Sequence, residues 1–475
     1  MKLWGGAIQG ISILRVCVKF FFTAVFLLFG NPALSDDPDI IVEVPVSVPA
    51  YQSMESDDLW RLYERAQIYD ASFQAAMHDY AIAKEGLSQA RSQLLPSLSL
   101  FADRTEVDQD IKASDIDVIG RGQAKYGRTT YGINFSQTVF DWSRFMGFNQ
   151  AKREDLMADA KLLEEQQKLI IKVVEHYIDV LAAEDNLNFF HKEEAAVKEQ
   201  EATAAARWQA KIGREADYLE AKARATSVYA QRLAAENAYA DAVEAIRALG
   251  GFGANSYKEL SEDLTLVPPQ PNDVSEWSEN AIQNNLSLLQ QRYVTTIARY
   301  EIRKSKSGHY PTVNLYGRYN DQDEDGSLFG GSSEVSSTEY GLRLEMPLYS
   351  GGNASSKVRE ATHRYSRELE NLQDQLRQVT RETRSAFNDL NTALLKIESF
   401  QLAVEAQMAV VDTKKRGYPR LYTSREVLDS ERDLYSAKRD LAKSRYEYLL
   451  ANLRLKSAAG NLGEEDLQEL NALFK

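Results

Sequence analysis

The chain runs to 475 residues, with 24 tyrosines, only 11 prolines and 27% charged residues, a mix that suits long solvated helices plus aromatic-rich strands. Its formal net charge of −14 argues against nucleic acid as a partner. The length could hold two or three ordinary domains.

Residues 1–35 read as an export signal peptide. Lys2, Arg15 and Lys19 make a basic start, residues 20–29 form an apolar run too short to span a bilayer, and Ala33-Leu34-Ser35 offers a cleavage site. A retained membrane anchor is the competing reading of this segment. Cys17, the sole cysteine, falls inside it, so neither a disulfide nor a thiolate metal site is expected in the mature chain. No later apolar run reaches the length of about 18 residues that a spanning helix needs, so entry into a membrane would not use helices. Residues 36–56, with Pro38, Pro45 and Pro49, read as an extended or disordered lead-in.

Residues 57–251 form a first repeat. Asp57 and Asp58 can cap a helix whose apolar stripe includes Leu62, Ala66, Tyr69 and Phe73 and which stops before Pro96. One strand is expected at 97–108 and another at 129–141. The second alternates clearly, with Tyr131, Ile133, Phe135 and Val139 on one side and Gly132, Asn134, Ser136 and Thr138 on the other. A proline-free helical hairpin follows at 142–251, turning near Gly213. Residues 252–276, with Pro268, Pro269 and Pro271, make a linker. A second repeat occupies 277–460: a helix ended by Pro311, strands at about 312–320 and 339–349, and a hairpin at 353–460 that turns at Gly417-Tyr418-Pro419. Residues 461–475 are left as a C-terminal segment.

The duplication can be counted. Tyr131-Gly132 and Tyr340-Gly341 lie 209 positions apart, as do Leu219 and Leu428, and Gly251 and Gly460. The helix and proline units repeat at 215, through Ala66 with Ala281 and Pro96 with Pro311. An ungapped register over about 120 residues marks a tandem duplication.

The expected fold is therefore mixed, with long α-helices joined to a membrane β-barrel. Each strand is long enough to cross a bilayer when tilted, but four strands cannot close, and an open edge in lipid leaves backbone groups unpaired. Other copies of the chain must complete them; two would give eight strands and three would give twelve. The helices carry polar faces throughout and belong in water. The competing reading is a structural coiled-coil surface protein or adhesin.

Several segments carry a family resemblance: Gln-Ala-Arg-Ser-Gln-Leu-Leu-Pro-Ser at 89–97, Tyr-Gly-Leu-Arg-Leu-Glu-Met-Pro-Leu-Tyr-Ser-Gly-Gly at 340–352, Val427-Leu428-Asp429-Ser430, and Tyr446-Glu447-Tyr448-Leu449. With them the chain resembles the TolC family of outer-membrane export channels over nearly all of its length beyond Leu59. The resemblance implies a homotrimer in which a twelve-stranded barrel in outer-membrane lipid continues into an α-helical periplasmic tunnel. It implies an equatorial layer built from the linker and the chain end. It also implies a passive exit duct of a Gram-negative bacterium, serving type I protein secretion or small-molecule efflux. The duct would dock to a periplasmic adaptor protein and an inner-membrane pump, either an ABC or a proton-driven one. The Leu-Leu-Pro-Ser segment most resembles members associated with type I secretion.

The same resemblance carries an acidic gate ring onto Glu426 and Asp429, whose i, i+3 spacing places both on one helix face. Three copies would stack two rings of carboxylates, with crowding expected to raise their pKa values. Without the resemblance, two acids on a charged helix read as merely solvated. A periplasmic-tip latch would use Tyr418, Asp217 and either Arg420 or Arg425, because the family's own arginine position reads Tyr422 here. Gly213, Gly417 and Pro419 mark the hairpin turns and adaptor-docking tips. Catalysis has no support: His78, His176, His191, His309 and His363 are scattered without ligand spacing, and there is neither a phosphate-binding loop nor a nucleophile elbow. No cofactor or metal is expected, and the chain does not read as an enzyme.

Overall fold

The computed structural model describes residues 58–111, 122–251, 253–254, 256–261, 267–327, 331–417 and 420–475. The expected export signal at 1–35 and the lead-in at 36–56 lie outside the described residues. The first repeat comprises helices α1 (Leu59–Tyr69) and α2 (Ala71–Ser92), strands β1 (Ser97–Ile111) and β2 (Gly122–Phe140), and the hairpin α3 (Trp142–Gln209) with α4 (Glu215–Gly250). The second comprises α5 (Val274–Asn284) and α6 (Leu286–Lys306), strands β3 (Thr312–Glu324) and β4 (Ser333–Glu345), and the hairpin α7 (Asn353–Gly417) with α8 (Ser424–Ala458). A short helix α9 (Glu464–Asn471) follows.

The helix expected to run unbroken from residue 59 to Pro96 is interrupted at Asp70, and its counterpart in the second repeat at Asn285. The two positions are 215 apart and break the helix by the same chemistry. Asp70 Oδ1 accepts from the Phe73 N–H at 2.8 Å, and Asn285 Oδ1 from the Leu288 N–H at 3.0 Å. Ser72 and Ser287 each donate a hydroxyl to the same capping oxygen. A side chain that satisfies a backbone N–H starts a new helix even where the apolar stripe runs on.

Helices α3 and α7, of 68 and 65 residues, are each roughly 100 Å long at 1.5 Å per residue. Propensity alone does not hold a helix of that length straight in water; an apolar face packed on neighbours does. α3 packs against α2, α4, α6 and α8, and α7 against α5, α6 and α8. Tyr446 on α8 donates its hydroxyl to Asp185 of α3 at 3.0 Å, and Arg454 of α8 pairs with Glu175 of α3 at 2.6 Å.

The core lies where these helices cross the chain's connecting segments. Tyr177 of α3 is fully buried there, edge-on to Tyr257 of the linker at 5.8 Å and to Phe474 at 5.2 Å. Its hydroxyl donates to the Lys258 carbonyl at 3.1 Å, so a large apolar ring is buried without stranding its polar end. Linker and chain end also pair as backbone: Ser261 N–H donates to the Leu473 carbonyl and Lys475 N–H to the Glu259 carbonyl, each at 2.9 Å. Leu59, Leu62 and Tyr63 of α1 and Leu467 of α9 fill the same cluster.

The strands form one antiparallel sheet in the order β1-β2-β3-β4, so the first repeat joins the second through β2 and β3. Cross-strand partners share a face. Leu98 and Leu100 lie opposite Phe135 and Ile133, Ile133 lies opposite Tyr319, and Leu315 opposite Leu342. One face is thus apolar across all four strands, and it is exposed: Leu98 at 72%, Leu342 at 69% and Leu344 at 68%. The other face carries Phe101, Asn134, Tyr316, Arg318 and Arg343. There Arg318 sits over the Phe101 ring at 5.6 Å and donates to Asn134 Oδ1 at 3.0 Å. Gly132 leaves room for Phe101, whose Cζ would lie 2.8 Å from an added Cβ.

Strand bounds depart from the sequence reading in a consistent way. β2 begins at Gly122 and β3 continues to Glu324, past the alternating apolar stretch: in β2 the apolar Ala124 and Tyr126 fall on the opposite face from Tyr131 and Ile133, and in β3 the added residues 321–324 are polar, so backbone pairing persists without a continuous apolar face. A register shift between Thr138 and Phe140 takes Val139 out of the simple alternation. β4 starts earlier, at Ser333, and stops at Glu345, not at 349.

Asp70 provides a test of the capping account. Burial works against its charge, but Lys172, the Ser72 hydroxyl and the Phe73 N–H together hold its carboxyl below the ordinary value. A folded value below the unfolded one stabilises the fold fully above the ordinary carboxyl range, and the effect is lost as pH falls through the lower folded value. Asp70→Ala is expected to cost about 1–3 kcal/mol at neutral pH in denaturant titrations, and the deficit should shrink toward pH 3. An unchanged midpoint at neutral pH would contradict the capping role.

Candidate functional site at the hairpin tips

The sequence reading places its site residues at the two hairpin turns. In the first turn, α3 ends and the Ile212 and Gly213 N–H groups both donate to the Arg207 carbonyl at 3.0 Å. Lys211 takes a left-handed φ of 61° to make the bend. At Gly213 an added Cβ would meet the Arg207 Cβ at 3.0 Å. Trp208 and Tyr218 stack across the turn, 5.2 Å apart and within 4° of parallel. Asp217 lies in the first turn of α4, where the helix dipole favours a carboxylate. Arg214 holds it there through bonds of 2.7 and 3.1 Å and lowers its pKa below the ordinary value.

In the second turn, α7 runs to Gly417 and the Leu421 N–H donates back to the Gly417 carbonyl at 2.8 Å. Tyr418 and Pro419 lie outside the described residues. Arg420 is exposed and forms no ion pair among the described residues. Thr423 caps α8 in a reciprocal box with Glu426: the Thr423 N–H and hydroxyl reach Glu426 Oε2 at 2.8 and 2.9 Å, and the Glu426 N–H donates to the Thr423 hydroxyl at 3.3 Å. The sequence reading expected crowding to raise the pKa of Glu426. Within a single protomer, where that crowding is absent, the Thr423 backbone N–H, then its hydroxyl, hold the carboxyl below its ordinary value.

The two hairpins are joined by charge. Arg224 of α4 donates to Asp429 of α8 at 2.6 Å, and Arg425 of α8 donates to Glu220 of α4 at 2.8 Å. Arg425 also lies 3.9 Å from Asp429, which links both pairs into one ladder. Of the two arginines considered for a latch, it is Arg425 that bridges the hairpins, and its carboxylate is Glu220, while Asp217 pairs with Arg214. Arg224 and Glu220 were missed by the sequence reading, although Glu220 is the repeat equivalent of Asp429, 209 positions earlier. Behind the ladder, burial pushes the Glu193 carboxyl up, against the pull of Arg432, Arg224 and Arg439. A cleft of about 380 Å³ lies beside it, lined by Arg207, Gly213, Asp217, Arg224 and Arg425 among others. Among the described residues, no group of three or more His, Cys, Asp or Glu could hold a metal ion. No described helix is long and apolar enough to cross a membrane.

Thr423→Ala should remove the capping box and cost about 1 kcal/mol of helix-start stability. Amide hydrogen exchange in the first turn of α8 should then quicken by about fivefold while α7 is unaffected; equal protection in the variant would contradict the cap.

Comparison with known proteins bears directly on this architecture. A family model described as "Outer membrane efflux protein" matches residues 62–251 and 277–461, one segment for each repeat. The outer membrane protein TolC of Vibrio cholerae is 30% identical over 425 residues, covering 88% of this chain and 94% of that protein. TolC of Escherichia coli is 30% identical over 443 residues, covering 90% and 87%. The alkaline protease secretion protein AprF of Pseudomonas aeruginosa is 26% identical over 415 residues, covering 87% and 86%. Among solved structures, the Campylobacter jejuni CmeC outer membrane channel matches with a TM-score of 0.72 at 16% identity, covering 88% of this chain and 90% of that one. The Vibrio cholerae outer membrane protein VceC matches with a TM-score of 0.67 at 19% identity, covering 85% and 96%.

Proposed function

This chain belongs to the outer membrane efflux protein family, and on that premise we propose that three copies close head to tail into one duct through which a tripartite export system passes its cargo. Its place is the outer membrane of a Gram-negative bacterium. The observation that carries the proposal is the pair of strand edges, β1 and β4, that no described residue pairs, at opposite ends of a sheet whose apolar face is exposed. Neither edge can be left open in lipid, and head-to-tail pairing of copies closes both at once. The helices offer a matching pair of flanks, with Leu376, Leu395 and Leu402 exposed on α7 and Leu219 and Leu233 on α4.

The duct is passive and not an enzyme. Energy for transport comes from an inner-membrane pump reached through a periplasmic adaptor protein at the hairpin tips. Two relatives are named for the secretion of proteases, AprF and the PrtF of Dickeya chrysanthemi, which favours protein cargo. The family's description favours efflux more broadly.

The tips act as the gate. Arg224–Asp429 is partly exposed and Arg425–Glu220 more so, and ion pairs in such settings each contribute about 0.2–1 kcal/mol. A ladder that weak holds the tips together at rest and yields to a docked partner. Glu426 and Asp429 of each copy then ring the opening and favour cations.

Planar-bilayer recording tests this. The purified protein should conduct, the pair Arg224→Ala with Arg425→Ala should raise resting conductance, and Glu426→Ala with Asp429→Ala should weaken block by multivalent cations. A non-conducting, water-soluble rod would instead support the surface-protein reading, and unchanged cation block would remove the acidic ring.

A further inference from the structure

The duplication supplies a template for a contact that no single copy contains. β4 repeats β2 at an offset of 209, and β3 repeats β1 at 215. Within one copy β2 lies against β3, so the same geometry carried forward sets β4 of one copy against β1 of the next. Phe140 opposite Val313 translates to Tyr349 opposite Leu98, Phe135 opposite Gly317 to Leu344 opposite Ala102, and Asn134 opposite Arg318 to Arg343 opposite Asp103. The template's register shift between Thr138 and Phe140 translates to Leu348.

We propose that β4 docks on β1 of a second copy of this chain in that register, lengthening through Tyr349 past a bulge at Leu348. The proposal rests on the head-to-tail reading above and adds the residues that meet.

Three observations support it. First, β4 stops at Glu345, whereas its template β2 runs on to Phe140, the equivalent of Tyr349. β2 has β3 beside it over that stretch, and among the described residues β4 has no strand there. Leu348 and Tyr349 are each 90% exposed, and a closing strand gives them a partner.

Second, the register makes a charge pair. In the template, the arginine is on β3 and the amide on β2. At the seam the arginine is Arg343 on β4 and the acid is Asp103 on β1. Arg343 lies over the Tyr316 ring at 5.0 Å, and among the described residues neither Arg343 nor Asp103 forms an ion pair within its own copy. Third, slipped registers are poorer. A shift by one residue turns the apolar face of β4 inward. A shift by two in one direction sets Leu344 against Arg104, and in the other it sets Gly341 against Asp103 and so loses the charge pair.

Cysteine pairs read the register directly, since a disulfide forms only where Cα atoms lie within about 7 Å. Full-length protein in detergent carrying Leu344→Cys with Ala102→Cys should oxidise to a covalent trimer on non-reducing gels. Leu344→Cys with Leu100→Cys should stay monomeric there, as should the parent chain. Cross-linking of the Leu100 pair in preference to the Ala102 pair, or of neither, overturns the register. Charge exchange gives a second readout should the cysteine pairs fail to assemble. Asp103→Arg and Arg343→Asp should each weaken resistance of the oligomer to dissociation by heat in detergent, and the two together should restore it; no restoration also overturns the register. Bilayer conductance of the parent protein separates the two levels: a conducting protein with the wrong cross-link loses only the register, and a non-conducting one loses the channel reading beneath it.

Discussion

Backbone hydrogen bonding at the sheet edges governs everything else in this molecule. Four strands in the order β1-β2-β3-β4 leave one edge open at each end, and their common apolar face is exposed. In water such a sheet invites aggregation, and in hydrocarbon each unpaired backbone group costs several kcal/mol, on the order of the net stability of a small domain. Closure by further copies removes both problems. The helical part of the chain follows from the same demand, because a wall that closes as a barrel at one end must also close as a tube along α3 and α7.

Duplication explains how one chain fills two positions of such a wall. Each repeat sends out a long helix and brings back a shorter one, and the two shorter entry helices occupy the space beside the long ones. The repeats are tied together in two places. One is the β2–β3 pairing, and the other is the core around Tyr177, where linker and chain end meet as paired backbone. Among the described residues, the hairpins toward the tips hold only the small buried cluster of Val197, Ala225 and Val228. The tips themselves are held by turns, caps and partly exposed ion pairs of modest strength, as the proposed gate would need.

Much of this was legible in the sequence. The 209 and 215 offsets carry the repeats, the prolines mark the ends of the entry helices, and alternation marks the central part of each strand. The breaks at Asp70 and Asn285 were not read, because the apolar stripe continues through them and the stop is signalled only by a capping residue with a serine two positions later, Asp70 with Ser72 and Asn285 with Ser287. The extension of β2 to Gly122 escaped for a related reason: Ala124 and Tyr126 lie on the opposite face from Tyr131 and Ile133, so the apolar alternation does not run on and the pairing there is carried by backbone. At the tips, sequence matching found Asp429 and Arg425 but not what each pairs with. Arg224 and Glu220 are more than 200 positions away from them, and a contact of that separation has no local trace.

The central claim is that the chain is complete only as three copies. Native mass spectrometry of protein extracted from outer membranes in mild detergent measures that number directly. The account predicts a single species of three chains that survives gentle activation. A monomer that keeps its strands, or a closed assembly of two chains, would contradict it.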